Sequence, residues 1–149
     1  MLSAFGAKGS GYMPSRKEVS SEMLRKGTQH LYQMLSDFYT YKTASSLSML
    51  VLYFYEVSIV CFTLRYGKKK VANWKDVASK LQGDNIRALV QLRDIIAHEF
   101  LDIGNVFYLV HRYLTIMGAV NFKIIEKEIF GYDINLYENI LSICEEKIN

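Results

Sequence analysis

The sequence predicts an all-α protein, a single domain built as a bundle of four to five helices. Three observations predict this fold. Only one proline and nine glycines occur in 149 residues, so residues that interrupt helices are scarce. Apolar residues make up 50% of the chain, enough to bury a core. They recur at the three- and four-residue spacing of amphipathic helices rather than in strand-like alternation.

The predicted organisation is a flexible arm over residues 1–14, followed by a helical domain over residues 15–149. The arm lacks the apolar core of a signal peptide. Directly after it, Ser15 and Glu18 form a Ser-x-x-Glu capping box, which predicts that the first helix starts there and runs to about Tyr41. The predicted apolar stripe of this helix comprises Val19, Met23, Leu31, Met34 and Phe38.

The second predicted helix, over residues 47–64, is apolar on nearly all sides, with Glu56 near its centre. We interpret it as the central helix of the bundle, with Glu56 as a buried carboxylate that has found partners. A role of Glu56 in a site is the alternative. A membrane span is the alternative, but this run barely reaches the required length of about 20 apolar residues and contains a charge.

The later helices follow short breaks. A helical turn around Trp74 ends at Gly83, and Asp84 or Asn85 can cap the next helix. The apolar residues of that helix are Ile86, Leu89, Leu92, Ile96 and Phe100. After a break at residues 102–105, a helix over residues 106–130 is predicted to bend at Gly118. Its predicted inward residues are Val106, Leu109, Tyr113, Met117, Val120 and Ile124.

Gly131 is predicted to stop that helix, and Asp133 to cap the last one. The apolar residues of the last helix are Leu136, Ile140, Ile143 and Ile148.

Charge and cysteine content place few limits on function. The net charge of +3 is compatible with a polyanionic partner without arguing for one. Cys61 and Cys144 lie in apolar segments without metal-ligand spacing, so we expect reduced core cysteines in a cytoplasmic protein. His111 has no partner at metal spacing and is expected to be structural or on the surface. The sequence contains no glycine-rich phosphate loop, and we expect no metal or cofactor.

The candidate site lies in residues 91–100, Gln-Leu-Arg-Asp-Ile-Ile-Ala-His-Glu-Phe. On a helix with about 100° per residue, Asp94 and His98 lie one turn apart on the polar face, together with Arg87 and Gln91. The Asp94 carboxylate is therefore expected to orient the His98 ring. Arg93 lies at the edge of the apolar stripe, where a guanidinium needs a partner or water. Either it binds an anion or a second subunit there, or its stem packs while its head reaches solvent.

Arg93, Asp94 and His98 resemble the Arg-x4-His signature of the HEPN superfamily, helical-bundle proteins that include many RNA-cutting toxins of bacterial defence systems. The resemblance implies a metal-independent endoribonuclease, the toxin of a toxin–antitoxin or antiviral system. It implies that His98 acts as base or acid, that Arg93 binds the phosphate, and that two chains share one cleft in a homodimer. The alternative is a non-catalytic HEPN helper that partners a nucleotidyltransferase.

A second pair has the same spacing. Arg25 and His30 stand five apart, and Tyr32 completes the longer Arg-x4-His-x-Tyr form of the signature. The later pair is preferred because Arg25 projects opposite the apolar stripe of its helix, and because Ile95 and Ile96 supply an apolar pair that the earlier motif lacks.

Two further features bear on the implied partners. Phe100 occupies the position at which some family members carry the tyrosine that an antitoxin adenylates, so we expect a different route of neutralisation or a self-contained system. Lys68, Lys69 and Lys70 are candidates for holding the RNA backbone, and a solvated loop is the alternative.

Overall fold

The computed structural model describes residues 19–65, 86–99 and 104–149. These ranges contain six helices and no strand, so the all-α prediction is confirmed with slightly more helices than expected. The helices are α1 (Ser21–Tyr41), α2 (Ala44–Arg65), α3 (Arg87–His98), α4 (Val106–Met117), α5 (Ala119–Phe130) and α6 (Leu136–Ile148). The predicted N-terminal arm, the turn around Trp74, the Lys68, Lys69 and Lys70 triplet, and Phe100 lie outside the described ranges.

α2 is the central helix of the bundle, as predicted. It contacts α1, α3, α4 and α5, and its buried residues cover most of its circumference. The exception is a face with Met49, Tyr53, Glu56 and Val60, which is exposed or half-buried. Its aromatic residue Phe54 stacks on Phe122 of α5, with ring centroids 4.9 Å apart. α2 is also long and apolar enough to cross a membrane, but 67% of its most apolar window is buried within the bundle. That degree of burial is typical of a core helix.

α1 begins later than the capping box predicted. Ser20 has an extended backbone, and its hydroxyl accepts a hydrogen bond from the Met23 amide at 3.1 Å. Because Val19 and Ser20 are not helical, the prediction that this helix starts at Ser15 is wrong. The stripe itself is confirmed at its centre, where Leu31 and Phe38 are fully buried.

Gly118 separates two helices rather than bending one. Its backbone angles, φ 85° and ψ 154°, belong to a region that is essentially restricted to glycine. The break shifts the phase of α5, so that Phe122, Ile125 and Ile129 face the core. The prediction that Val120 and Ile124 face inward is therefore wrong, and these side chains are 76% and 40% exposed.

The turn between α5 and α6 also differs from the prediction. Gly131, in the left-handed conformation, ends α5 as expected. Asp133 does not cap α6: its Oδ1 accepts a hydrogen bond from the Asn135 amide, which precedes the helix. Asn135 occupies the cap position with a positive φ of 60° and makes no side-chain cap bond.

Candidate functional site around Arg93

α3 presents Arg93, Asp94 and His98 on the flank of the bundle. Its apolar side is anchored by Leu89, Leu92 and Ile96, which are at most 2% exposed. This burial fixes the rotation of the helix, because a turn about its axis would expose the three side chains to water. The predicted polar face is confirmed, since Arg87, Gln91 and His98 are exposed and Asp94 is half-buried.

Arg93 is held by two neighbours. Its Nη1 donates to Asp94 Oδ1 at 2.8 Å, and its Cζ lies 4.4 Å from the centroid of the Tyr55 ring on α2. A guanidinium over an aromatic face gains about 0.5–2 kcal/mol. The side chain is only 29% exposed, and its Nε is buried without a hydrogen-bond partner among the residues that the structure describes. Arg93 therefore does not simply extend into solvent: it is fixed in place with a donor unused.

Asp94 and His98 are not joined as expected. The Asp94 carboxylate bonds to Arg93, and no hydrogen bond links it to His98 in the part of the chain that the structure describes. His98 is the last residue of α3, and its side chain is exposed. In this arrangement Asp94 positions the guanidinium, while the imidazole has access to solvent and to any molecule that binds there.

The earlier pair, Arg25 and His30, is divided between two environments. Arg25 lies on the exposed side of α1 and its Nε donates to Glu22 Oε1 at 2.9 Å, as expected for a solvated face. His30 lies across from α2, where its Nδ1 is 2.8 Å from the hydroxyl oxygen of Tyr53. The two side chains therefore do not form one site.

A cavity between α1 and α2 was not predicted from the sequence. Its volume is about 310 Å³, and His30, Tyr53 and Glu56 line it together with apolar side chains that include Leu24 and Val60. These residues come from two helices and are 23 to 36 positions apart in sequence, so no local pattern could have brought them together. The i, i+3 spacing of Tyr53 and Glu56 on α2 was the one available signal.

Glu56 connects the cavity to Arg93. The expectation that it is a buried, satisfied carboxylate is wrong, because it is exposed and makes no hydrogen bond within the described ranges. Partial desolvation among the packed side chains raises the pKa of Glu56, and the nearby Arg93 charge opposes that rise. Glu56 thus lies within the electrostatic reach of Arg93 while lining the cavity.

The cysteines are buried, as expected, and His111 is half-buried at the surface. Cys61 and Cys144 are buried and free, and burial raises the pKa of the Cys144 thiol to about 12, which makes it a poor nucleophile. The His111 Nε2 lies 3.1 Å from Glu145 Oε2 on α6. In residues 19–65, 86–99 and 104–149, no three His, Cys, Asp or Glu side chains are grouped to hold a metal ion.

Comparison with protein-family models, curated proteins and solved structures gives no match to this chain. The resemblance to the HEPN superfamily therefore depends on the spacing of Arg93 and His98 and on the sequence around them. The fold around that motif is all-α.

Proposed function

We propose that this chain is a metal-independent endoribonuclease of the HEPN type that works in the cytoplasm as a homodimer. The observation that carries the proposal is the setting of Arg93, which Asp94 and Tyr55 hold in place while 29% of its side chain remains exposed. A guanidinium fixed in this way suits a phosphate, because its planar donors match two phosphate oxygens. Asp94 occupies one position on the guanidinium, so the phosphate would approach from another.

The positions of Arg93 and His98 favour a site shared by two chains. Five residues on an α-helix separate them by about 7.5 Å along the axis and roughly 140° around it. Their side chains therefore do not converge on one point within a single helix. Two copies related by a two-fold axis would place two arginines and two histidines in one cleft.

The proposed reaction needs only groups that RNA and the protein supply. The 2′-oxygen attacks the adjacent phosphorus while an imidazole takes its proton, and the bond from phosphorus to the 5′-oxygen breaks. The leaving 5′-oxygen receives a proton from a second imidazole, the partner subunit's His98. Arg93 stabilises the charge on the phosphorane. The products are a 2′,3′-cyclic phosphate and a 5′-hydroxyl, and histidine suits both proton transfers because it titrates near neutral pH.

The deciding experiment treats RNA with purified protein in the presence of EDTA and identifies the ends of the products. We expect cyclic-phosphate and 5′-hydroxyl ends from the wild type. The variants Arg93→Lys and His98→Gln should each lose at least about a hundredfold in rate, because one loses the planar fork and the other loses proton transfer. Arg25→Lys is the matched control and should keep the wild-type rate. Intact RNA with wild-type protein, or equal cleavage by all variants, would refute the proposal.

A second experiment measures growth while the same variants are expressed from an inducible promoter. A toxin should slow growth only when it can cleave RNA. We propose that a neutralising antitoxin accompanies the protein. Lys68, Lys69 and Lys70 remain the proposed contact for the RNA backbone. Each phosphate contact made by a lysine weakens with added salt, so replacing these lysines should reduce the salt dependence of RNA binding.

One observation favours a second function, a non-catalytic module that binds a partner such as a nucleotidyltransferase. Asp94 binds Arg93 rather than orienting His98, so the histidine lacks the expected support. Under this alternative the wild type leaves RNA intact. Arg93→Lys would then weaken binding to the partner without any change in cleavage.

A further inference from the structure

The cavity between α1 and α2 contains a carboxylate that no described residue bonds to. Glu56 lines the cavity and makes no hydrogen bond with any other residue in the described ranges. An ionised carboxylate only accepts hydrogen bonds, and it can take two donors side by side. The polar group that this part of the cavity would bind best is therefore a pair of adjacent N–H donors.

The other residues of the cavity suit a flat ring. Leu24, Val57 and Val60 supply apolar walls, and the imidazole of His30 and the phenol of Tyr53 supply aromatic surface. The His30 ring is kept in place by its hydrogen bond to the Tyr53 hydroxyl. Aromatic side chains are the surfaces on which proteins commonly stack single, unpaired bases of RNA.

The size of the cavity limits the ligand. Its volume of about 310 Å³ is near the lower end of the range of roughly 300–1,000 Å³ for small-molecule sites. A volume of this size accommodates one ring system. Gly27 sets one boundary, since a Cβ at this position would lie 3.2 Å from Val57 Cγ2, so the two helices are close together there.

We propose that this cavity binds a guanine base of the RNA substrate, with the Glu56 carboxylate accepting hydrogen bonds from N1–H and N2–H of the base. This inference rests on the proposed function, because it gives the nuclease a base preference next to its phosphate site. Guanine is the RNA base with two adjacent donors on its Watson–Crick edge; adenine and cytosine place an acceptor beside their donor, and uracil has a single donor between two acceptors. Lys26 and His30 line the same cavity and can donate to the guanine O6.

The test uses nucleosides, which carry no phosphate and so do not report on Arg93. Guanosine, adenosine, cytidine and uridine are titrated against the whole protein, and binding is followed by ligand-observed NMR. We expect guanosine to bind about tenfold more tightly than the other three, the discrimination of one good bidentate contact. Glu56→Gln should remove this preference, because the amide presents a donor to one of the two guanine donors.

Val60→Phe fills the cavity and should abolish guanosine binding. Val120→Phe is the matched control: Val120 is 76% exposed on α5 and does not line the cavity, so this variant should bind guanosine like the wild type. Circular dichroism checks that both variants fold. Equal affinity for the four nucleosides, or no effect of either Glu56→Gln or Val60→Phe, would overturn the inference.

The two proposals fail in different ways. Guanosine binding without any RNA cleavage would leave the base site standing and remove the nuclease. Cleavage that needs His98 but shows neither guanosine binding nor a preference for guanine would keep the nuclease and refute the base site.

Discussion

The Glu126 side chain is fully buried on α5, and its Oε2 accepts a hydrogen bond from the Ile134 amide at 2.6 Å. Burial, and next to it the neighbouring Asp133 carboxylate, raise the pKa of Glu126. The Lys123 ammonium beside Asp133, 2.8 Å away, holds the pKa of that carboxyl well below its usual range. Oε1 of an ionised Glu126 would be buried without a donor, whereas a protonated Glu126 can donate to Asp133. The burial of the Glu126 carboxyl therefore favours its protonated form, while Asp133 stays ionised beside Lys123.

This arrangement predicts how stability depends on pH. Because the pKa of Glu126 is raised in the folded state, its protonated form contributes to the free energy of unfolding. This contribution is fully present at a pH below the usual glutamate pKa and is lost as pH rises through the folded-state pKa. Glu126→Gln keeps the acceptor for Ile134 and the donor for Asp133 without the charge. Relative to the wild type, we expect this variant to gain stability as pH rises above the ordinary glutamate value of 4.5, as measured by urea unfolding across that range.

Glu146→Gln is the control for that experiment, since this exposed glutamate makes only a 3.8 Å ion pair with Lys42. Its free energy of unfolding should follow the wild type across the same pH range. A pH-independent difference between Glu126→Gln and the wild type would contradict the raised pKa of Glu126.

The aromatic ring of Tyr55 stabilises the guanidinium of Arg93 by direct contact, in addition to filling space in the core. The ring is 6% exposed and lies under the guanidinium at 4.4 Å. We therefore expect Tyr55→Leu and Arg93→Met to be coupled by about 1 kcal/mol in a double-mutant cycle of unfolding free energies. Tyr55→Phe retains the ring and should retain most of that coupling. Additive effects of Tyr55→Leu and Arg93→Met would show that the contact contributes nothing.

At the scale of helices, the apolar pattern predicted which side chains of a single helix face the core. It did not predict where one helix ends and the next begins with a different face turned to the core. The stripe of α3 appears as expected because Ile86, Leu89, Leu92 and Ile96 all pack against one face. The pattern failed after Gly118, because an uninterrupted helix carries the phase of α4 into α5 and the observed break resets it. A glycine in a helical pattern indicates a bend, but its φ and ψ depend on how the two helices pack.

The candidate site shows the same limit. The spacing of Arg93 and His98, and the exposed face of α3, are local properties that the sequence reveals. The ring of Tyr55 under Arg93, and the approach of His30 to Tyr53, depend on how α2 packs against α3 and α1. Arg93 and Tyr55 are separated by 38 positions in the sequence, and His30 and Tyr53 by 23. The periodicity of a single helix contains no information about such contacts.

The Gly118 break itself is testable. An added Cβ meets no atom within 4 Å, so any cost of Gly118→Ala comes from the backbone conformation and not from a clash. We expect a loss of about 1–3 kcal/mol in the free energy of unfolding. Gly104→Ala, also in open space and without a positive φ, should change stability by less than about 0.5 kcal/mol. Equal effects of the two substitutions would mean that α4 and α5 can be joined by a backbone conformation that does not require glycine.

At the scale of the whole molecule, the proposed cleft makes activity a property of a pair of chains. If both histidines are required, one as base and one as acid, a dimer of one wild-type and one His98→Gln chain is inactive. Mixing equal amounts of the two chains with free exchange then leaves about a quarter of the dimers active, the share in which both chains are wild type. Independent chains would instead leave about half of the activity, since each wild-type chain works alone.

The decisive measurement is therefore the RNA cleavage rate as the wild-type fraction is varied at constant total protein. A shared cleft gives a rate that falls with the square of that fraction, and independent sites give a straight line. Mixing the wild type with Arg25→Lys controls for exchange and dilution, because that chain should remain active in every pairing. A straight line with His98→Gln would remove the second histidine from the mechanism. One His98 would then have to return to the leaving 5′-oxygen the proton that it took from the 2′-hydroxyl.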